Sequence, residues 1–513
     1  MISLPDIKAF QGGIRLATEK SLSSEAAIEP LGVPPLLLYP LETSSGLHAI
    51  PLVKEGEPVK SGTPLAIFPD QAAPPICATS SGTVFFKAGP QASLKVPNVS
   101  MVGIETDGYD HEEPPLPPLD PSERTVEAVI ERLHACGILG MGGAGFPTDR
   151  KLQALQGPLR FLIVNGAECE PYLTCDERII RERAEELLDA ALLIARIFKI
   201  PQILMAVESE RHASIFRLDD LISACQLPEL QLIKLPERYP AGGERQIILA
   251  ASGIGIPHDQ HPVDLGILCL NVQTILATAR AIQYGERLIR RIVTVSGPGI
   301  RSPRNFEARI GTPLKYLIEA AGGCLPGSHH LVLGGPMMGF SVQDDEIPIV
   351  KTLSAILAFP EKLVTSNSEQ PCIRCGQCVE VCPQGLFPQL MNDHARAHRL
   401  AALNELQLLA CIECACCDHA CPSQIPLTQN FQLAKRELRR HLEDEQMAAS
   451  ARQRYEARQE RLKREQTDRE NEALEKKAAL DHQRQPKIQE ALARARLKKE
   501  QRLHRNEGHA DES

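Results

Sequence analysis

Eight of the 16 cysteines in this 513-residue chain fall into two copies of one pattern. The first is Cys372-Ile-Arg-Cys375-Gly-Gln-Cys378-Val-Glu-Val-Cys382-Pro383, and the second is Cys411-Ile-Glu-Cys414-Ala-Cys-Cys417-Asp-His-Ala-Cys421-Pro422. Both read C-x₂-C-x₂-C-x₃-C-P. Three thiolates two residues apart on a tightly wound loop can cap three corners of a cuboidal iron–sulfur cluster. The fourth lies too far along to close the same set, and in paired motifs of this kind it ligates the other cluster. The expected sets are therefore Cys372, Cys375, Cys378 and Cys421 for one [4Fe–4S] cluster, and Cys382, Cys411, Cys414 and Cys417 for the other. Zinc sites also use C-x₂-C pairs, but rarely three cysteines in one loop, and here that occurs twice with a trailing Cys-Pro. Cys416, extra in the second loop, reads as a packed free thiol. Such a module moves single electrons and needs a donor and an acceptor.

A second constellation is rich in glycine: Gly137-Ile-Leu-Gly140-Met-Gly142-Gly143-Ala-Gly145-Phe-Pro-Thr148, with Lys151 just beyond. Gly140-x-Gly142-x-x-Gly145 fits the dinucleotide fingerprint, but a helix, not a strand, is expected before it, so this is not an ordinary Rossmann turn. Adjacent glycines still let backbone N–H groups close around an anion. Asn165-Gly-Ala-Glu168-Cys-Glu170-Pro171 follows at a strand's end, where ligand crevices form. Tyr239-Pro-Ala-Gly242-Gly243-Glu244 and Asn271-Val-Gln-Thr274 come later. Cys169 and Cys175 read as buried free thiols rather than a redox disulfide. His258 and His261 read as solvated residues of a proline-bounded loop rather than a metal pair.

The rest of the composition bounds the setting. The start, MISLPDIKAFQGGIRL, has no charged stretch followed by an apolar core, so it does not read as a signal peptide. The compartment is then reducing and the cysteines are available to metal. No run reaches the ~18 apolar residues that span a bilayer; the longest candidate, around Ala190–Phe198, is interrupted by Arg196. A net charge of −9, no Trp and 4% aromatics argue against a nucleic-acid binder.

Length and pattern imply a multidomain α/β plus β chain. After an N-terminal segment (1–30), residues 31–115 show short strands broken by Gly and Pro. They resemble the barrel-sandwich hybrid of lipoyl and biotinyl carriers, without the modifiable Lys at the matching FPDQAAPPI stretch, so the domain is read as structural. HEEPPLPPLDP suits an extended linker. Residues 120–290 alternate helices and buried strands, an α/β layer with a parallel sheet, and residues 291–350 look like a small β-grasp module. The cysteine motifs occupy a two-cluster ferredoxin domain (365–435). The tail (436–513) is almost all charged or small residues, a solvated helix or partly disordered extension.

Taken together, GMGGAGFPTDRK is similar to the GRGGAGFPTGLK loop of the flavin- and NADH-binding subunit of respiratory complex I. NGAECEP is similar to that family's NADE-x-EP, GGE to its CGEE, and NVQT to its NNVET. The domain order resembles the C subunit of the Rnf (Rsx) ion-translocating electron-transport complex over about residues 30–435. The resemblance implies that Gly140, Gly142, Gly143, Lys151, Asn165 and Asn271 surround FMN. Glu168, Glu170 and Glu244 would lie near the nicotinamide nucleotide, with Gly243 among the cofactor-binding positions. It also implies a Rossmann-like flavin domain, NADH as substrate, membrane-bound partner subunits, and a peripheral place on the cytoplasmic side of the inner membrane. Three departures stand out: the family's loop Arg is Met141, its Asp is Ala167, and its second Glu is Arg245. A soluble diaphorase subunit, and an adaptor that keeps the clusters but not the flavin, are the other readings.

Overall fold

The computed structural model describes residues 10–43, 46–89, 99–143, 145–364 and 368–507. The leader reading rests partly on Met1–Ala9, which lie outside them. The chain divides into two units, Met1–Ala434 and Lys435–Ser513.

Within the first unit, two small antiparallel sheets come first. Leu36–Pro40, Val99–Thr106, Gly82–Gly89 and Pro58–Val59 form one, in that order. Ile50–Pro51, Pro64–Ile67 and Ile76–Cys77 form the other. Leu37, Leu65, Val84 and Ile104 close a common core between them.

The α/β layer is built on β1 (Phe161–Asn165), β2 (Gln202–Glu208), β3 (Leu230–Leu235) and β4 (Ile267–Asn271), all parallel in the order β3-β2-β1-β4. The strands are apolar on both faces because helices cover both. Leu162 and Val164 face a core shared with α1 (Val126–Ala135), α4 (Ala184–Ile197) and α6 (Val272–Tyr284). Phe161 and Ile163 face Ile247 and Ile248 of α5 (Glu244–Ser252). Between α1 and α4 lie α2 (Thr148–Gln153) and α3 (Cys175–Glu182). The strand order reverses between β1 and β4, so their carboxyl ends open a crevice, and Asn165 and Asn271 pair there in register. The glycine-rich loop runs from α1 to α2, preceded by a helix as its sequence predicts.

The proline-rich stretch is held by pairing. Leu116 N–H donates to Gly285 O and Leu119 N–H to Ile282 O, both at 3.1 Å. Gly285, at φ +68, ends α6, and a Cβ placed there would lie 1.7 Å from Leu116 O. Gly285→Ala should destabilise the unit by roughly 2–4 kcal/mol, since both the left-handed backbone and a carbonyl oppose it. A thermal-melting midpoint within experimental error of the parent would refute this.

A six-stranded mixed sheet follows: β5 (Arg290–Ser296), β6 (Arg304–Arg309), β7 (His330–Leu333), β8 (Phe340–Val342) and β9 (Ala355–Phe359), with Ile28–Pro30 added at the edge beside β6. Two of its strands lie outside the 291–350 span read from sequence. Ile28–Pro30 is too short to show a period, and β9 is a five-residue apolar run that periodicity cannot assign. The N-terminal segment is thus a strap. Gly13 N–H donates to Val381 O at 2.8 Å, Ile14 bridges Tyr239, and Lys20 is buried against Glu168 and Leu173 before Ile28 joins the sheet.

In the second unit the chain is helical to Glu507, as part of a helix that begins at Leu427. Residues 451–502 are exposed throughout. Same-helix pairs such as Arg494–Glu490 at 2.7 Å support it, against Pro486 inside the helix.

Candidate functional site

The eight motif cysteines separate into two cavities. Cys372, Cys375, Cys378 and Cys421 line one, with about 420 Å³ of atom-free space. Cys382, Cys411, Cys414 and Cys417 line the other, with about 350 Å³. Each cavity therefore takes three cysteines from one motif and the fourth from the other. The local cause is winding. Arg374 and Gly376 in the first loop, and Glu413 and Ala415 in the second, occupy equivalent positions with positive φ. This turns the chain tightly enough for Arg374 N–H to reach Cys372 Sγ and Glu413 N–H to reach Cys411 Sγ, each at 3.4 Å. A four-thiol donor set with inward backbone N–H groups fits a [4Fe–4S] cluster.

The two cavities differ in their surroundings. Cys372 and Cys375 are exposed, as are Ile373 and Phe387. Cys414 and Cys417 are buried. Cys416, the extra cysteine, is fully buried beside Tyr239, with Cys169 and Met337 packed against them. The Tyr239 hydroxyl donates to Cys414 O at 2.9 Å, joining the second cysteine loop to the loop before α5.

At the carboxyl edge of β1 and β4, several of the sequence-predicted residues come together. A Cβ on Gly142 would sit 3.3 Å from the Asn271 side chain, so the glycine loop lies against the end of β4. Gly140 N–H donates to Phe146 O at 2.9 Å, closing the loop's base. Gly143, at φ +104, faces open space. Lys151 Nζ donates to Glu244 Oε1 at 2.5 Å and to Cys269 O at 3.0 Å. Asn165 Nδ2 donates to Gly242 O at 2.9 Å, and Gly243 is the residue before α5. Open glycine backbone, a lysine and two amides suit a planar anionic group such as FMN.

Glu168 and Glu170 are each held by partners of their own. Glu170 accepts from Met337 N–H at 3.0 Å and Met338 N–H at 2.9 Å, fastening the turn after β7. Glu168 lies at the start of α3, where its carboxylate accepts from Cys175 Sγ at 3.1 Å and Asp176 N–H at 3.2 Å. The three departures are also accounted for. Met141 and Ala167 are buried, and Arg245 donates to Ile256 O, Pro257 O and Gln260 O, so its guanidinium holds a neighbouring loop. His258 and His261 stay exposed, His261 capping a turn with Asp264.

Burial pushes the Glu168 carboxyl up to about 7, against the pull of Lys20. The folded chain then keeps a proton that the unfolded chain, near 4.5, has already released. Its contribution to stability falls as pH rises from about 4.5 to 7. Glu168→Gln should flatten that part of the stability–pH curve; an unaltered slope in denaturant titrations across the window would sink the claim.

Comparison with known proteins bears on this geometry. Family profiles match residues 8–109 (RnfC Barrel sandwich hybrid domain), 133–280 (Nuo51 FMN-binding domain), 292–341 (SLBB domain) and 371–425 (4Fe-4S dicluster domain). The C subunit of the ion-translocating oxidoreductase complex of Rhodobacter capsulatus is 38% identical over 435 residues, 84% of this chain and 83% of that one. The chain belongs to the C-subunit family of ion-translocating oxidoreductase complexes. The C subunits of Edwardsiella ictaluri (36% identical, 96% of this chain and 61% of that one) and Yersinia enterocolitica (36%, 94% and 69%) are further relatives. The NAD+-reducing [NiFe]-hydrogenase in the H2-reduced state is a looser structural neighbour: 19% identical, 62% of this chain and 63% of that one, TM-score 0.44. As a member of the C-subunit family, the chain is an electron-transfer subunit of an oxidoreductase, with FMN and 4Fe–4S clusters as its cofactors. Among the described residues no helix is long and apolar enough to cross a membrane.

Sequence reasoning missed Lys20, Asp176 and Tyr239 as parts of this region. Only Tyr239 carried a signal, as the first residue of the Tyr-Pro-Ala-Gly-Gly-Glu run.

Proposed function

We propose that the chain takes electrons from NADH at the crevice between β1 and β4 and delivers them, one at a time, to a membrane-bound partner subunit. The arrangement of the two thiol cavities carries this reading. The cavity of Cys382, Cys411, Cys414 and Cys417 is tied through Tyr239 to the loop that bounds the crevice. The cavity of Cys372, Cys375, Cys378 and Cys421 reaches solvent. Electrons therefore enter through the set tied to the crevice loop and leave through the set whose Cys372 and Cys375 are exposed. FMN, when bound, supplies the change from two-electron to one-electron transfer. Gly140, Gly142, Gly143, Lys151, Asn165 and Asn271 would hold it, with Gly243 and Glu244 at the rim. Glu168 and Glu170 shape the region from behind. The α/β layer is then Rossmann-like in strand order, the first module a barrel-sandwich hybrid and the mixed sheet a β-grasp relative. The chain sits peripherally on the cytoplasmic face of the inner membrane, bound to its partner subunits.

The test is anaerobic purification, assay of iron, sulfide and flavin, and addition of NADH under spectral observation. About eight irons and one FMN per chain, with NADH bleaching flavin before clusters, is the expected result. Full iron with no flavin after reconstitution would favour the adaptor reading. The exit face gives a further expectation. Ile373, 68% exposed between two ligand cysteines, contributes to partner docking, so Ile373→Glu should slow electron delivery to partner membranes while iron content and NADH bleaching persist. Unchanged delivery would remove Ile373 from the interface.

A further inference from the structure

Behind the crevice lies a buried acidic cluster that the electron path does not use. Ligand atoms of Glu168, Cys175 and Asp176 all lie within 4.8 Å of one another. None of the three residues is more than 8% exposed. A cation site is one reading of such a set, but Lys20 Nζ already sits 3.7 Å from Glu168 Oε2, also donating to Leu173 O at 2.7 Å. The cluster has its cation, and what two adjacent buried carboxylates then share is a proton.

Its connections run two ways. Toward the crevice, Asp176 Oδ2 accepts from Asn271 Nδ2 at 2.5 Å, and Asp176 Oδ1 accepts from Gln273 Nε2 at 3.1 Å. Asn271 is also the residue against which Gly142 packs. Toward solvent, Glu177 and Arg211 line both an open polar cleft with about 850 Å³ of atom-free space and a narrow space beside Glu168. In that space Glu177 Oε2, Arg211 Nη2 and Ser214 Oγ are buried without hydrogen-bond partners. Glu177 Oε2 lies 3.7 Å from Arg211 Nη1 as an ion pair, and the space is too narrow for a water, so these two side chains themselves bridge the cleft to Glu168.

We propose that Glu168 and Asp176 form a proton-holding pair, loaded from the Glu177–Arg211 cleft, that takes up one proton when negative charge arrives at the crevice and releases it when the charge moves on. This rests on the flavin reading above. The charged groups around the pair make the direction plain. Glu168 faces Lys20 from the strap, Cys175 and Glu177 from α3, and Glu208 and Arg211 from the end of β2. Asp176 feels Arg291 on β5. Lys20 and Arg291 balance the two carboxylates, so added negative charge across Asn271 is met by protonating one of them. Burial already raises both carboxyls, Glu168 to about 7. The step balances: an O–H bond forms at a carboxylate oxygen, a hydronium ion in the cleft becomes water, and the electrons come from the reductant at the crevice. The pair acts as a positioning element for charge and does not touch the reacting atoms.

The experiment uses the full chain. The flavin midpoint potential is measured against pH from 5.5 to 8.5 in the parent, Glu168→Gln and Asp176→Asn, with flavin content assayed in each. The pair predicts that both variants keep flavin and lose about one proton's share of the pH slope around neutrality. Equal slopes in all three proteins overturn it. If the chain holds no flavin, the reading of the crevice fails instead, and the pair is judged by infrared spectroscopy of the flavin-free chain. A carboxyl C=O band titrating near neutral pH and missing in Glu168→Gln supports the pair; no such band in the parent overturns it, whatever the variants do.

Discussion

Cys421→Ala and Cys378→Ala should be indistinguishable, although the two residues lie in different motifs. Each is expected to lower iron from about eight to about four per chain and to leave the cluster of Cys382, Cys411, Cys414 and Cys417 in place. The reason is spatial: Cys421 lines the cavity of Cys372, Cys375 and Cys378, and Cys382 lines the cavity of the second motif's first three cysteines. The reciprocal variants Cys382→Ala and Cys411→Ala should likewise match each other. Paramagnetic resonance of the reduced chain would lose the splitting between neighbouring clusters in all four. Delivery of electrons onward should be abolished in every case, because either loss interrupts the relay, while NADH should still bleach the flavin. If Cys421→Ala behaved like Cys411→Ala and unlike Cys378→Ala, each motif would serve its own cluster and the crossed sets would be wrong.

Lys151→Met should weaken flavin retention roughly 10- to 100-fold, about 1.4–2.7 kcal/mol, without altering iron content. Lys151 Nζ holds two elements of the crevice at once, Glu244 at the start of α5 and Cys269 O on β4. It is also the cation nearest the glycine loop in sequence after Arg150, whose guanidinium is taken by Gln71 O at 2.8 Å, and a charge-assisted hydrogen bond to an anion contributes about 1.5–3 kcal/mol. Removing it leaves Glu244 facing an anionic ligand without a counter-charge. Lys151→Arg should restore part of the affinity. Flavin fluorescence in equilibrium dialysis gives the ratio directly. Parent-like affinity in Lys151→Met would mean that the glycine loop's backbone alone holds the phosphate.

How much of this was legible in the sequence depended on how local each signal was. The cysteine sets are written in spacing, because the loop that presents three thiolates is short and winds the same way in both copies. β1 was legible as an apolar run ending in Asn165, whereas β4 was not read as a strand, and only their register shows that Asn165 and Asn271 meet. The reading of Glu168 and Glu170 rested on a family pattern in which position stands for role. Here, long-range partners decide what each carboxylate does: Met337 and Met338 take Glu170, while Lys20 and α3 take Glu168. No window around residue 168 contains Lys20. The strand Ile28–Pro30 was illegible for the same reason, since three residues with a terminal proline carry no period and gain their place only from β6.

The strap has a consequence for how the molecule is made. Its residues are made before their partners: Ile14 needs Tyr239, Ile28 needs Asn305, and Gly13 needs Val381. Contacts so distant along the chain form late. The Gly13 end of the strap must therefore wait, unpaired, until the first cysteine motif has been synthesised. Biogenesis thus has a built-in last step, and Gly12, whose Cβ would press within 2.5 Å of Cys382 O, lets the strap close against the newly made cysteine loop.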